Sequence, residues 1–106
     1  MVQTRIELPM EAIQAFCQRW RITELAVFGS ALSDDFRPDS DVDFLMTYAP
    51  DAGWSLLDHA EMQEELGAIL GRKVDLLTRR AVEGSENPYR RKAILESAQV
   101  IYATAA

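Results

Sequence analysis

The stretch VFGSALSDDFRPDSDVDFL, residues 27–45, contains the most informative pattern of the sequence. An apolar run ends at Gly29-Ser30, five aspartates follow within ten positions, and a second apolar run begins after Asp43. Each of these carboxylates raises the electrostatic cost of ionising the others. An apolar segment closed by glycine is typical of a buried strand, so the stretch predicts two strands joined by an acidic excursion.

The composition of the chain limits its class. Its 106 residues, 48% of them apolar, suffice for one domain with one core, which we predict over residues 1–106. Seventeen acidic against eleven basic side chains give a net charge of −6, so no direct binding of DNA or RNA is expected. No apolar run reaches the roughly eighteen residues of a membrane span, no signal peptide is recognisable, and Cys17 is the single cysteine. A cytoplasmic protein without membrane contact is therefore expected.

Hydrophobic spacing predicts alternating helices and strands. Three helices are predicted over residues 10–20, 55–70 and 88–98, and three strands over 24–28, 41–48 and 73–78. Residues 99–104 fit either the end of the last helix or a short fourth strand. The second helix should begin at a capping box from Ser55 to Asp58 and bury Leu56 and Leu57. An α/β fold follows, in which we expect all three helices on one face of a small sheet and an exposed opposite face.

Three aspartates are set apart by their predicted positions. Asp41 and Asp43 share one face of a strand, because side chains two residues apart point the same way. Asp75 interrupts an otherwise apolar strand, where an unpaired charge is expensive. Carboxylates this dense repel one another unless a cation neutralises them, and hard oxygen ligands suit Mg²⁺ or Mn²⁺. The pattern predicts a metal site for one or two ions, while the other aspartates of the stretch are interpreted as solvated turn residues.

Gly29 and Ser30 predict a phosphate contact beside these acids. Glycine after a buried strand lets a ligand approach the backbone, and serine offers a hydroxyl and a backbone N–H group. The pair alone marks a plain turn equally well. More specific is the order of features: strand, Gly-Ser, a short excursion, Asp-x-Asp on a second strand and a lone Asp on a third.

This order resembles the nucleotidyltransferase superfamily with a polymerase beta-like core, and within it the minimal, MNT-type proteins. The resemblance covers nearly the whole chain and includes the closing stretch from Asn87-Pro88 to Ile101-Tyr102. It implies the nucleotidyltransferase fold with a small mixed sheet. The site residues that it implies are Asp41, Asp43 and Asp75 as catalytic metal ligands, and Gly29, Ser30 and Ser40 as nucleotide contacts.

The resemblance also implies an activity and a partner. Minimal members are commonly antitoxins, and the resemblance implies transfer of AMP from ATP, with two Mg²⁺ or Mn²⁺ ions, to a tyrosine of a HEPN-domain ribonuclease toxin. Asp75 would then help to take the proton of the acceptor hydroxyl. The chain departs from the family pattern at Ala31, where arginine is common, and at Asp34, where glycine is common, so a weaker grip on the triphosphate is expected. The alternative is a protein of this fold that neutralises its toxin by binding alone.

Overall fold

The structure, a computed structural model, describes residues 8–29 and 41–104. Its helices are α1 (Met10–Arg19), α2 (Leu56–Leu70), α3 (Arg79–Glu83) and α4 (Pro88–Ser97), and its strands are β1 (Ile22–Phe28), β2 (Val42–Tyr48), β3 (Val74–Thr78) and β4 (Gln99–Ala103). Every predicted helix and strand is confirmed to within two residues, and residues 99–104 contain a strand. The short α3 was not predicted. No helix among the described residues is both long enough and apolar enough to cross a membrane.

The four strands form one mixed sheet in the order β3-β2-β1-β4. β1 runs antiparallel to β2 and to β4, whereas β2 and β3 are parallel and are joined through α2. Successive side chains of a strand alternate between two faces. We call the face that carries Asp43 and Asp75 the acid face, and the opposite one the core face.

The main core lies between the core face and the first two helices. α1 contributes Phe16 and α2 contributes Met62, and neither side chain is more than 1% exposed. They pack against the alternating residues of β2, among them Phe44 and Met46. Spacing of three and four residues along α1 puts its apolar side chains on one stripe, so the helix can be buried on that side only.

The expectation that all three predicted helices share one face is wrong for the last of them. Ile94 of α4 and Val82 of α3 are buried against Ala26, Phe28 and Leu45, which belong to the acid face. Those three strand residues are apolar, so the acid face also needs a cover over its middle. The acid face therefore stays open mainly at the end that holds the aspartates.

The start of α2 confirms one prediction and corrects another. Ser55 Oγ accepts a hydrogen bond from the Asp58 N–H at 3.2 Å, and Asp58 Oδ2 accepts one from the Ser55 N–H at 2.9 Å, which is the predicted capping box. Leu56 and Leu57, however, are 89% and 79% exposed. At about 100° per residue they lie roughly 120° and 140° around the helix from the buried Met62, so they cannot join its stripe.

The outer edge of β3 is bonded to side chains of α2. The Leu76 N–H donates to Gln63 Oε1 at 3.0 Å, and His59 Nε2 donates to the Leu76 carbonyl oxygen at 2.7 Å. His59 and Gln63 are one helical turn apart, so both reach the same strand residue. The single histidine thus has a structural role.

Cys17 is expected to resist alkylation in the folded protein. Burial raises the pKa of its thiol from 9.0 to about 12, so the reactive thiolate should be about 1000-fold rarer than in the unfolded chain at the same pH. The rate of iodoacetamide labelling at pH 8, with and without denaturant, measures this difference. Equal rates in the two states would show that α1 does not bury Cys17.

Candidate active site

Asp43 and Asp75 lie side by side on the acid face. The parallel pairing of β2 with β3 places Asp43 opposite Asp75 in register. Neighbouring strands are about 4.8 Å apart, so two such side chains project from the sheet as close neighbours. Asp41 lies two residues before Asp43, immediately ahead of β2. The structure thus places Asp43 and Asp75 side by side, with Asp41 two residues before Asp43 at the same end of β2.

The negative charges of Asp41, Asp43 and Asp75 repel one another, and this repulsion affects the pKa of Asp43. The pKa of Asp43 is raised, first by its partial burial and then by the charges of Asp75 and Asp41. Among the described residues, Lys73 approaches the cluster, and its Nζ lies 4.0 Å from Asp41 Oδ2. Both of those side chains are exposed, and exposed pairs of this kind contribute little. Asp43 therefore remains in an environment that favours a bound cation.

Gly29 stands directly against the Asp43 carboxylate. It follows β1 with a left-handed φ of +75°, and a Cβ atom placed on it would lie 2.6 Å from Asp43 Oδ2. No side chain fits there without displacing the carboxylate. The nucleotide contacts predicted at Ser30 and Ser40 fall outside the described residues, as do Ala31 and Asp34.

Gly29→Ala is expected to damage both stability and activity. The left-handed backbone costs an alanine about 1–2 kcal/mol, and its methyl group must push Asp43 aside, so we expect nucleotidyl transfer to fall by about tenfold or more. Gly53→Ala is the matched control, because Gly53 has φ +67° with no atom within 4 Å of an added Cβ. Melting temperatures and transfer rates should show similar destabilisation in both variants and lost activity only at Gly29. Equal activity in the two would contradict the assigned position of Gly29.

The donor set at this end of the acid face fits Mg²⁺ or Mn²⁺. Within residues 8–29 and 41–104, no three His, Cys, Asp or Glu side chains converge closely enough to hold an ion on their own. Mg²⁺ seldom needs such a cage, because one or two carboxylates, waters and substrate phosphates complete its shell. Asp43 and Asp75 in register, with Asp41 beside them, supply carboxylates of that kind.

A small cleft opens between α3 and α4 on the same face. Its volume is about 180 Å³, and its apolar lining comes from Leu77, Val82 and Ile94. Leu77 follows Asp75 by two residues on β3, so both side chains lie on the acid face. Arg90 and Arg91 also line the cleft.

The arginines of this cleft were not predicted from the sequence. Four other basic residues could compensate for the missing family arginine, and the default interpretation of each is a solvated surface charge: Arg37, which lies outside the described residues, Lys73, Arg79 and Arg80. Arg79 instead bonds Glu24 Oε1 through Nη2 at 2.9 Å. The basic run Arg90-Arg91-Lys92 at the start of α4 is visible in the sequence. Its position near the site becomes apparent only from the contact of α4 with the acid face.

Comparison with known proteins agrees with this geometry. The family described as Nucleotidyltransferase domain matches residues 9–101. The protein MJ1217 of Methanocaldococcus jannaschii, provisionally named a protein adenylyltransferase, is 34% identical over 79 residues, which are 74% of this chain and 76% of that protein. The chain is thus similar to a relative of nearly its own length.

Solved structures show the same fold. A structure provisionally described as a minimal nucleotidyltransferase superimposes with a TM-score of 0.65 at 34% identity, covering 84% of this chain and 85% of that one. A toxin-antitoxin structure with AMP-PNP superimposes with a TM-score of 0.71 at 18% sequence identity, and the match covers 92% of this chain and 76% of that one. The complex of a tri-AMPylated Shewanella oneidensis HEPN toxin with MNT antitoxin gives a TM-score of 0.62 at 18% sequence identity. That match covers 89% of this chain and 69% of the other.

The family match spans most of the chain, and the paired carboxylates stand beside a glycine that follows β1. The chain therefore belongs to the nucleotidyltransferase domain family, as one of its minimal members.

Proposed function

We propose that this nucleotidyltransferase moves AMP from ATP to a tyrosine hydroxyl of a HEPN-domain toxin and thereby acts as its antitoxin. The observation that carries the proposal is the pairing of Asp43 with Asp75 in register, with Gly29 against the Asp43 carboxylate. Carboxylates crowded at the open end of a sheet, beside backbone that a phosphate can approach, suit metal-assisted phosphoryl chemistry.

Each site residue has a proposed role. Asp41 and Asp43 hold two Mg²⁺ ions, and Asp75 completes the ligand set on the acceptor side. When bound, the ions supply charge neutralisation for the triphosphate and a lowered pKa for the acceptor hydroxyl. Gly29 leaves the backbone open to the triphosphate. Ser30 and Ser40, which lie outside the described residues, are proposed as its hydroxyl contacts.

The proposed reaction is a single displacement at phosphorus. The acceptor oxygen forms a bond to the α-phosphorus, the bond from that phosphorus to the α,β-bridging oxygen breaks, and pyrophosphate leaves. The phenolic proton passes to Asp75, which is exposed on the acid face and accessible to an incoming group. The chain itself supplies positioning through the carboxylates of Asp41 and Asp43, and proton transfer through Asp75 beside them.

Support for the partner comes from the comparisons and from the charge of the chain. One structure of the same fold holds a tri-AMPylated HEPN toxin, and a relative at 34% identity carries the name of a protein adenylyltransferase. A net charge of −6 disfavours a nucleic-acid acceptor and leaves a protein as the natural one. Ala31 and Asp34 depart from the family pattern and favour a second candidate function, in which the protein neutralises the toxin by binding alone.

Co-expression with the HEPN partner separates the two candidates. Wild-type protein should protect cells and add AMP units to the toxin, detected by mass spectrometry and by label from ATP labelled at the α-phosphate. The double variant Asp41→Asn with Asp43→Asn should do neither, although it still binds the toxin. Full protection by that variant with no mass change would establish binding alone, and absence of any toxin complex would reject the antitoxin role.

A further inference from the structure

The cleft between α3 and α4 differs chemically from the acid cluster beside it. Its floor is apolar, formed by Leu77, Val82 and Ile94, and its rim carries two guanidinium groups. Arg91 Nη1 donates a hydrogen bond to the Ser85 carbonyl oxygen at 3.1 Å, which holds that side chain half-buried at the cleft. Arg90 is exposed and can turn toward a ligand. In a chain of net charge −6, this is a local basic site.

The size of the cleft limits what it can receive. About 180 Å³ is below the roughly 300–1,000 Å³ of ordinary small-molecule sites. A whole nucleotide does not fit in such a space, whereas one side chain of a protein does. An apolar floor beneath guanidinium groups suits an aromatic ring that has carboxylates beside it, because arginine pairs with both.

The position of the cleft assigns it to one side of the site. The strand residue that lines the cleft is Leu77 of β3, two residues beyond Asp75, whereas Gly29 follows β1, and β2 separates those two strands. The helical walls of the cleft, Val82 and Ile94, also pack on Ala26 and Phe28 of β1. The triphosphate belongs on the Gly29 side in the proposed function. The cleft is then on the side from which the acceptor hydroxyl arrives.

We propose that this cleft is the docking site for the acceptor protein, and that it takes an aromatic side chain flanked by Asp or Glu residues. The ring lies on Leu77, Val82 and Ile94, and the flanking carboxylates pair with Arg90 and Arg91. The occupant is acidic because the charged side chains that line the cleft are the two arginines, while Ser85 is a neutral lining residue. The acceptor role of this surface rests on the proposed function, while the preference for an acidic aromatic segment rests on the cleft alone.

Binding of synthetic peptides tests the cleft without any transfer chemistry. The probes are Glu-Glu-Tyr-Glu-Glu and its counterpart Lys-Lys-Tyr-Lys-Lys, titrated without nucleotide while the methyl resonances of Leu77, Val82 and Ile94 are followed. We expect the acidic peptide to shift these methyls and the basic peptide to leave them unchanged. In Arg90→Gln with Arg91→Gln, affinity for the acidic peptide should fall by about tenfold or more.

Lys92→Gln is the matched control, because it removes one charge from the same run at a residue that does not line the cleft. It should change affinity by less than about twofold. Arg91→Lys keeps the charge and shows whether a loss at Arg91 is electrostatic or follows from a lost Ser85 contact, with melting temperatures recorded for every variant.

Three results would overturn the proposal: equal binding of both peptides, an equal loss in Lys92→Gln, or unshifted cleft methyls. Weaker ATP binding in the double arginine variant would assign the cleft to the nucleotide and also overturn it. If the acidic peptide binds as expected but no AMP transfer to protein occurs, the cleft is retained and the proposed function fails.

Discussion

Asp43→Asn is expected to lower AMP transfer by on the order of 10³-fold while the fold survives. The change keeps the shape of the side chain but removes a charge from the centre of the carboxylate cluster, and a metal contribution of several kcal/mol corresponds to about that factor. The measurement is transfer of label from ATP in the presence of Mg²⁺. Asp51→Asn is the control, because Asp51 is an exposed carboxylate that pairs with Arg21. A wild-type rate in Asp43→Asn would show that Asp43 is not a ligand.

The same variant should be slightly more stable than the wild type when metal is removed. A raised pKa means that folded Asp43 binds its proton more tightly than the unfolded chain does, so its ionisation lowers stability as pH rises from 3.8 through the raised pKa. Asparagine removes that penalty at pH 7. The difference in unfolding free energy between the variant and the wild type should shrink as pH falls toward 3.8. Thermal unfolding of both proteins in the presence of a chelator, between pH 3.8 and pH 7, shows whether the variant is the more stable one. A less stable variant at pH 7 would mean that Asp43 has a favourable partner.

Phe16→Ala should cost about 3–5 kcal/mol of unfolding free energy, the range for an aromatic truncation in a packed core. Phe16 is 1% exposed and lies in the main cluster between α1 and the sheet. The total free energy of unfolding of a small domain is only about 5–15 kcal/mol, so the variant should unfold at a far lower denaturant concentration. Equilibrium denaturation followed by circular dichroism measures the change.

Gln14→Ala is the control for that experiment, since Gln14 is an exposed residue of the same helix. Its stability should stay within about 0.5 kcal/mol of the wild type. An unchanged midpoint in Phe16→Ala would instead mean that α1 turns this side to solvent.

Part of the neighbourhood of Asp43 and Asp75 could be predicted from the sequence, because that part depends on local rules. Strand alternation puts Asp43 and Leu45 on one face of β2, and Asp75 and Leu77 on one face of β3. Apolar runs identify the strands, and the parallel register then sets the carboxylates side by side. The alternation and the strand positions are local features, whereas the parallel pairing of β2 with β3 is a long-range contact that only the structure gives.

The placement of α4 could not be predicted in the same way. Only Ile94 of α4 is buried, so its pattern does not say which face of the sheet it covers. That choice depends on Ala26, Phe28 and Leu45, which come from two strands and need a cover that α1 and α2 do not provide. The cleft with Arg90 and Arg91 arises from this packing and was therefore missed as well.

The bonds from α2 to Leu76 bear on how the molecule associates with other chains. Both main-chain groups of this central β3 residue are already engaged by His59 and Gln63, so at Leu76 they are not available to pair with a strand of a neighbouring copy. Strand addition by partners, and the cross-β stacking that leads to fibrils, are therefore opposed at this point of the edge, in the strand that carries Asp75.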